Sequence, residues 1–578
     1  MSETTPEASA THEDADARRD RWVDRALVSV FGLLYGCVVL TSSGVVDGRR
    51  SFTLFDDAMI SMRYGRNLAE GSGLVYNAGE QVEGYTNLLW TVVMAGVHLV
   101  VSDVHRTSLV VSAIGIVVLC VQLHLVARLT RAATDVRWAP WLAMATVGTN
   151  YALAFWTLRG MEVGLVGLLV LGAIAVTHLW PEWSDRRRGI TLAALLLAAV
   201  FTRDDALVPV AVVLLFAVLA LPAERRRRGL VLAAAAVGAT LALRVGVRWA
   251  LYGELLPNTY VLKVDGVPRE LLLERGAASV ALLCTFGLAV PLALAVLGLG
   301  SSAIARTCTA VVAAQLLYSV GVGGDAWEYF GFANRFAATA TAPLAIAAVL
   351  GLVAAREGRV VVAQRVVAIG MLALSLLGIV AVTRTSSYFG LGHGAGHEDV
   401  ARALTLVAAA VAILAARTRA GVVVLGATLV LAGNVVPWVD WVGDPGSTSR
   451  SDTSWAEYGN ALGDATTPDT LIAASAIGNL GYFSDRPIAD ILGKIDPEIA
   501  HREPHLERWL IPGHSKWDLE HTVGGLQPEV VAQLFAAEDA DIEWLESAGY
   551  LRLGPYVFLR GGTDLTAADL ERAVDIAY

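Results

Sequence analysis

Between Phe55 and Asn87 the chain reads FDDAMISMRYGRNLAEGSGLVYNAGEQVEGYTN. Two adjacent carboxylates open the stretch, glycines punctuate it, and it carries too much charge for the core of a bilayer. The composition changes on either side. Before it runs Ala26 to Val46, an apolar segment of membrane length. Beyond it, apolar runs of about 20 residues recur as far as Val439, each able to cross ~30 Å of hydrocarbon. Of the 578 residues, 55% are hydrophobic and 17% charged, with a mean hydropathy of +0.55. Soluble domains carry about 25% charged residues. The pattern predicts a polytopic α-helical membrane protein with its densest polar chemistry in the first loop.

The net charge of −10 gives no reason to expect a nucleic-acid partner. Nearly all cations are arginine; the three lysines are Lys263, Lys494 and Lys516. Cys37, Cys120, Cys284 and Cys308 fall inside apolar runs without metal-ligand spacing, so they read as small core residues. Residues 1–25 are acidic, then basic, and read as a disordered cytoplasmic tail. The apolar run that follows is too long for a signal-peptide core and reads as a retained first span.

Arginine-rich turns at Arg186–Arg188, Arg225–Arg228, Arg356–Arg359 and Arg417–Arg419 mark the cytoplasmic side. Alternation then puts Arg159–Glu162, Arg203–Asp205, Tyr252–Arg269, Gly323–Arg335, Ser386–Asp399 and the chain after Asp440 outside. About fourteen apolar segments can be counted, whereas these sidedness rules require an odd number. Leu88–Ser102 is the weakest, ~22 Å long at 1.5 Å per residue, and the segment ending at Thr202 is next. The expectation is about thirteen spans over residues 26–440, with a catalytic first external loop at 47–87 and an external α/β domain at 441–578. In that tail Thr470–Ala474 and Gly554–Arg560 read as strands, and Pro528–Glu546 and the residues from Thr563 as helices.

FDDAMISMRYGRNLAEGSGLVYNAGEQVEGYTNLLW resembles the first-loop signature of bacterial GT-C glycosyltransferases, polytopic enzymes that take sugars from polyprenyl-phosphate donors outside the plasma membrane. Within them it is most similar to the actinobacterial terminal β-(1→2) arabinofuranosyltransferases. Arg159–Glu162, Tyr252–Tyr260, Gly323–Asp325 and Pro512–Asp518 extend the likeness over most of the chain. One departure stands out: Thr202-Arg203 is followed by Asp204-Asp205 where the superfamily often has Pro-Glu.

Glycosyl transfer from a lipid phosphate needs a base for the acceptor hydroxyl and cations for the phosphate that leaves. Asp56 and Asp57 lie about 100° apart on a helix, so they cannot share one task. On the residues alone, an Asp ahead of Ala-Met-Ile-Ser-Met is as good a helix cap as a catalyst. The resemblance puts the family's catalytic Asp in this pair, with Asp56 favoured as base and Asp57 orienting it or holding a cation. Lys263, Arg335, Arg203 and Arg63 are the candidates for the donor phosphate, against the alternatives of snorkelling and solvated arginines. Glu162, Tyr85, Asn87, Asp325 and Trp517 are candidates for the acceptor or sugar, with Tyr85 and Trp517 as stacking faces and Glu328 on the same side. The sequence requires no cofactor, contains no compact metal-ligand set and leaves room for a divalent cation. His393 and His397 lack helical register and read as a loop rather than a metal site. No Gly-x-Ser-x-Gly, GxGxxG or P-loop motif is present, so ATP or nicotinamide use has no support.

The function expected is transfer of a sugar, arabinofuranose first, from a polyprenyl-phosphate donor to a cell-envelope glycan at the outer face of the plasma membrane. A hexose or aminosugar transferase acting on lipid or protein is the alternative within enzymes. A lipid-linked sugar flippase is the alternative outside them, and the paired halves with broken helices that mark transporters are not evident.

Overall fold

The computed structural model describes residues 6–283, 287–328, 333–382, 389, 397–431, 434–446 and 449–577. Cys284 and His393 lie outside them, as do the side chains of His397 to Asp399. Helix α1 (Pro6–Thr41) begins inside the stretch expected to be disordered, and its apolar part is Arg18–Thr41. A two-stranded hairpin of β1 (Gly44–Val46) and β2 (Arg49–Ser51) leads to α2 (Asp56–Ala69), the helix that carries the first-loop motif. Then come α3 (Leu88–Val100) and α4 (Val104–Ala133). At 13 residues α3 is the short apolar helix that its sequence predicts.

Among the described residues four helices are long and apolar enough to cross a membrane: Arg18–Thr41, α4, Ala223–Tyr252 and Ala303–Gly321. Counting each bent helix pair as one span brings the number to six. The expected thirteen is not reached on this measure, because many of the apolar runs fold as helices shorter than a span or as bent pairs. The clearest break separates Tyr151–Leu158 from Val163–His178, bent by 118°. Gly160 makes that turn with φ of 86°, and a side chain there would run into Leu54. At the centre, Thr341–Arg356 is buried from Thr341 to Ala355. Its alanines and Gly351 let the helix Ala289–Gly298 approach at backbone distance. Cys308 is fully buried as expected, whereas Cys37 is exposed.

The C-terminal domain contains a five-stranded mixed sheet in the order β4 (Ile488–Asp490), β3 (Ile472–Ala474), β5 (Val530–Val531), β7 (Phe558–Arg560), β6 (Tyr550–Arg552). The strands expected around Thr470 and Gly554 are present. Pro528–Glu546, expected as one helix, begins instead with β5 and becomes helical only at Asp539. Val530 and Val531 are wholly buried between neighbouring strands, so sheet pairing overrides the local pattern. The short helix Ile477–Ser484 docks on α2. Contact is close enough that a side chain at Gly478 would collide with the Asp56 carbonyl, and one at Gly481 with the Tyr76 hydroxyl.

Candidate functional site

Phe55 is the N-cap residue of α2, in extended backbone, so neither aspartate caps the helix. Asp56 and Asp57 occupy its first turn and diverge. Asp56 turns to the C-terminal domain, accepting the backbone N–H of Asn479 at 2.7 Å and of Gly478 at 3.2 Å. Burial pushes its carboxyl up to about 6 against those hydrogen bonds. Asp57 turns into a cavity. Its Oδ2 accepts from Arg335 Nη1 at 2.9 Å and Trp327 Nε1 at 3.3 Å. Burial raises its pKa, but Arg335, Lys494 and Lys263 outweigh that and hold it below the ordinary value. Its side chain keeps 21% of its exposure.

The cavity has two chambers. The smaller is lined by Asp57, Ser61, Tyr85, Asn87, Lys494 and His514 among others. The larger is lined by Glu162, Arg203, Asp205, Asp325, Tyr260 and Tyr318 among others. Thr86, Met161, Thr259, Lys263, Ala326, Arg335 and Pro512 border both and form the neck between them. The fold explains the convergence. The 118° break delivers Met161 and Glu162, the short helix Asn258–Val264 delivers Thr259 and Lys263, and the C-terminal domain closes one side with Lys494 and Pro512–His514.

The arginines here are all engaged. Arg335 forks onto Asp325, with Nη2 to Oδ1 at 2.7 Å and Nε to Oδ2 at 2.9 Å, while its Nη1 reaches Asp57. Arg203 donates to Asp205 at 2.7 Å and Glu162 at 3.0 Å. Glu162 also accepts Asn87 Nδ2 at 2.7 Å, and Asn87 Oδ1 accepts the Ser61 hydroxyl at 2.8 Å. Behind Asp325, Glu328 accepts from Ser279, Asn334, Arg275 and the Asp325 backbone, fixing the Gly323–Asp325 loop. Lys263 differs: no hydrogen bond or ion pair holds its ammonium among the described residues. Burial pushes it down to about 8.

Of the residues expected at the site, Asp57, Lys263, Arg335, Tyr85 and Asn87 line the smaller chamber, while Arg203, Glu162 and Asp325 line the larger. Asp56 lines neither chamber. Arg63 faces the C-terminal domain, where it donates to the carbonyls of Tyr76, Gly481 and Arg486. Trp517 stacks on His505 at 4.0 Å inside the C-terminal domain. Asp204, half-exposed, belongs to a network in which the buried Arg244 and Arg248 each bridge it to Glu83. Lys494, Trp327, Ser61 and Thr259 line the cavity and were not singled out from the sequence. The scarcity of lysine is the one signal that pointed toward Lys494. Among the described residues no group of three or more His, Cys, Asp or Glu side chains is placed to hold a metal ion.

Residues 447–560 match a family described as a domain of unknown function (DUF8728). No curated protein matches the chain. Among solved structures, apo ArnT from Cupriavidus metallidurans is 13% identical, with 92% of this chain covering 97% of that one at a TM-score of 0.53. The same protein bound to undecaprenyl phosphate is 14% identical, with coverage of 81% and 85% and a TM-score of 0.46. An apo oligosaccharyltransferase from Archaeoglobus fulgidus is 10% identical, with coverage of 80% and 64% and a TM-score of 0.44. The likeness to apo ArnT is one of fold, and it extends over nearly the whole chain.

Proposed function

We propose that this protein is a GT-C-type glycosyltransferase that moves a sugar from a polyprenyl-phosphate donor to a cell-envelope glycan at the outer face of the plasma membrane, with arabinofuranose as the sugar. In this reading about thirteen apolar segments anchor the chain, and the C-terminal domain lies outside. The observation that carries it is the pairing of Asp57 with Lys263 across a buried cavity. One is a carboxylate with an open oxygen: among the described residues no hydrogen bond engages its Oδ1. The other is an ammonium with no hydrogen bond or ion pair among the described residues. An ArnT structure bound to undecaprenyl phosphate adds a lipid-phosphate ligand to the same architecture.

Asp57, rather than Asp56, is the base in this proposal. The acceptor hydroxyl attacks the anomeric carbon, its C–O bond forms as the bond to the phosphate oxygen breaks, and the proton passes to Asp57 Oδ1. A carboxylate held below its ordinary pKa is a weak base. The hydroxyl becomes strongly acidic only as it bonds to the oxocarbenium-like carbon, and at that point a weak base suffices. Lys263 meets the charge left on the phosphate, and Asn87, Glu162 and Tyr85 border the sugar.

The test is transfer by the reconstituted protein from radiolabelled decaprenyl-phosphoryl-arabinose to a synthetic arabinan, with mannose and glucose donors alongside. Transfer from the arabinose donor that Asp57→Asn abolishes supports the proposal. Transfer from a hexose donor alone removes arabinose from it, and transfer that survives Asp57→Asn removes the base.

A further inference from the structure

The three lysines of this chain converge. Lys263 and Lys494, 231 positions apart, line the same chamber, and Lys516 donates to the Ala500 carbonyl at 2.6 Å and approaches the Val261 carbonyl at 3.5 Å, two residues from Lys263. The cavity arginines are engaged by carboxylates, but the ammonium groups of Lys263 and Lys494 have neither a hydrogen bond nor an ion pair among the described residues. The smaller chamber is therefore lined by three cations, Lys263, Arg335 and Lys494, against one carboxylate, Asp57. His514 adds no charge, because burial and the neighbouring Lys494 push it down to about 3.

A second observation points to an anion at the same place. Thr259 stands one turn before Lys263 on the helix Asn258–Val264, on the same face. Its hydroxyl is buried at the neck and has no hydrogen-bond partner. An orphaned buried donor costs about 1–3 kcal/mol when nothing fills the site, so it is expected where a ligand supplies the partner. The neighbouring Asn258 fixes the geometry. Its side-chain amide donates to the carbonyls of Gly493 and Lys494, both at 2.9 Å. One helix thereby sets Thr259, Lys263 and the backbone of Lys494.

We propose that Lys494, carried by the C-terminal domain, joins Lys263 and the Thr259 hydroxyl in a clamp for a phosphate group, the headgroup of the lipid donor. This rests on the polyprenyl-phosphate reading above. The chemistry fits the reaction. A sugar phosphodiester carries one negative charge, and breaking its anomeric C–O bond leaves a phosphate monoester that carries up to two. Two ammonium groups lining one chamber match that gain. The C-terminal domain then contributes a residue that touches the donor, and the site is incomplete without it.

The test is equilibrium binding to the full-length protein in detergent, with undecaprenyl phosphate, undecaprenol and inorganic phosphate as probes. Lys494→Ala is expected to weaken undecaprenyl phosphate about tenfold or more, to leave undecaprenol unchanged, and to be largely rescued in Lys494→Arg. Thr259→Val, which keeps shape and charge, should weaken undecaprenyl phosphate by a smaller factor. Lys494→Ala that binds undecaprenyl phosphate like wild type overturns the clamp, as does equal loss of undecaprenol, which would mark a packing role. Lys494→Ala that loses only inorganic phosphate also overturns it, by making the site one for a free anion. Wild type that fails to distinguish undecaprenyl phosphate from undecaprenol brings down the donor reading itself.

Discussion

Arg335 stands between Asp57 and Asp325, giving Nη1 to the first at 2.9 Å and a two-pronged fork to the second. One guanidinium thus holds a carboxylate of α2 against the loop that follows the helix Ala303–Gly321. It leaves one Asp57 oxygen open and its orientation fixed, which is the preorganisation a proton acceptor needs.

The adjacent aspartates should separate cleanly on mutation. Asp57→Asn is expected to lower transfer by about 100- to 10,000-fold, the range of a lost acid–base group, with little change in thermal stability. Asp56→Asn should instead loosen the C-terminal domain, because it weakens the acceptor for Gly478 and Asn479. Parallel transfer assays and melting curves in detergent check both. Equal loss of transfer with unchanged melting for the two variants would contradict the division.

Binding of the donor phosphate should depend on pH through Lys263, whose pKa burial lowers to about 8. The protonated form binds the anion. Affinity is therefore full below about 8 and falls as pH rises through that value, earlier than for an ordinary lysine near 10.4. Lys263→Arg should keep its affinity above pH 8, since a guanidinium does not lose its proton there. A titration of undecaprenyl phosphate binding from pH 6 to pH 10 decides; overlapping profiles for wild type and Lys263→Arg would sink the assignment.

Glu83 is buried between Arg244 and Arg248. Glu83→Ala leaves two buried cations sharing one half-exposed carboxylate, Asp204, and should destabilise the protein by up to about 3–5 kcal/mol, the range when one partner of a buried pair is removed. The same loop presents Tyr85, Thr86 and Asn87 to the cavity, so transfer should fall with stability. Unchanged thermal unfolding would mean that the network contributes little.

Gly478 has no room for a side chain against the Asp56 carbonyl. Gly478→Ala is expected to cost about 1–3 kcal/mol, the range for overpacking, and to make the junction between the helical part and the C-terminal domain easier to cleave. Limited proteolysis gives the readout. Digestion at the wild-type rate would show that the two parts adjust without strain.

Much of this was legible beforehand, for identifiable reasons. Apolar runs and arginine-rich turns announce a helical membrane protein because hydrocarbon imposes length and composition. That Asp56 and Asp57 point apart follows from the 100° step between neighbours on a helix, but the sequence favoured Asp56 as base and did not tell that Asp57 is the one lining the cavity. Helix geometry was not legible: Arg159–Glu162 marks a break between apolar runs, but nothing local gives the 118° bend there. Nor was the engagement of Arg203 and Arg335 by carboxylates, since partners such as Asp325 and Glu162 are chosen by the fold and not by spacing. Trp517 shows the common fate of a tryptophan proposed as a sugar platform, which is to pack against its own domain. Lys494 sits in a tail loop with no local motif, and only the folded chain brings it to Lys263.

The seam between α2 and the helix Ile477–Ser484 limits how such a molecule can be rebuilt. Arg63 and Arg66 donate hydrogen bonds to carbonyls of the tail, and Asp56 accepts two from its backbone. A chimera spliced near residue 449 would inherit the sockets from one parent and the plugs from another. The first loop and the tail are thus bound to drift together across generations, and a graft that keeps the two from one ancestor stands the better chance of folding.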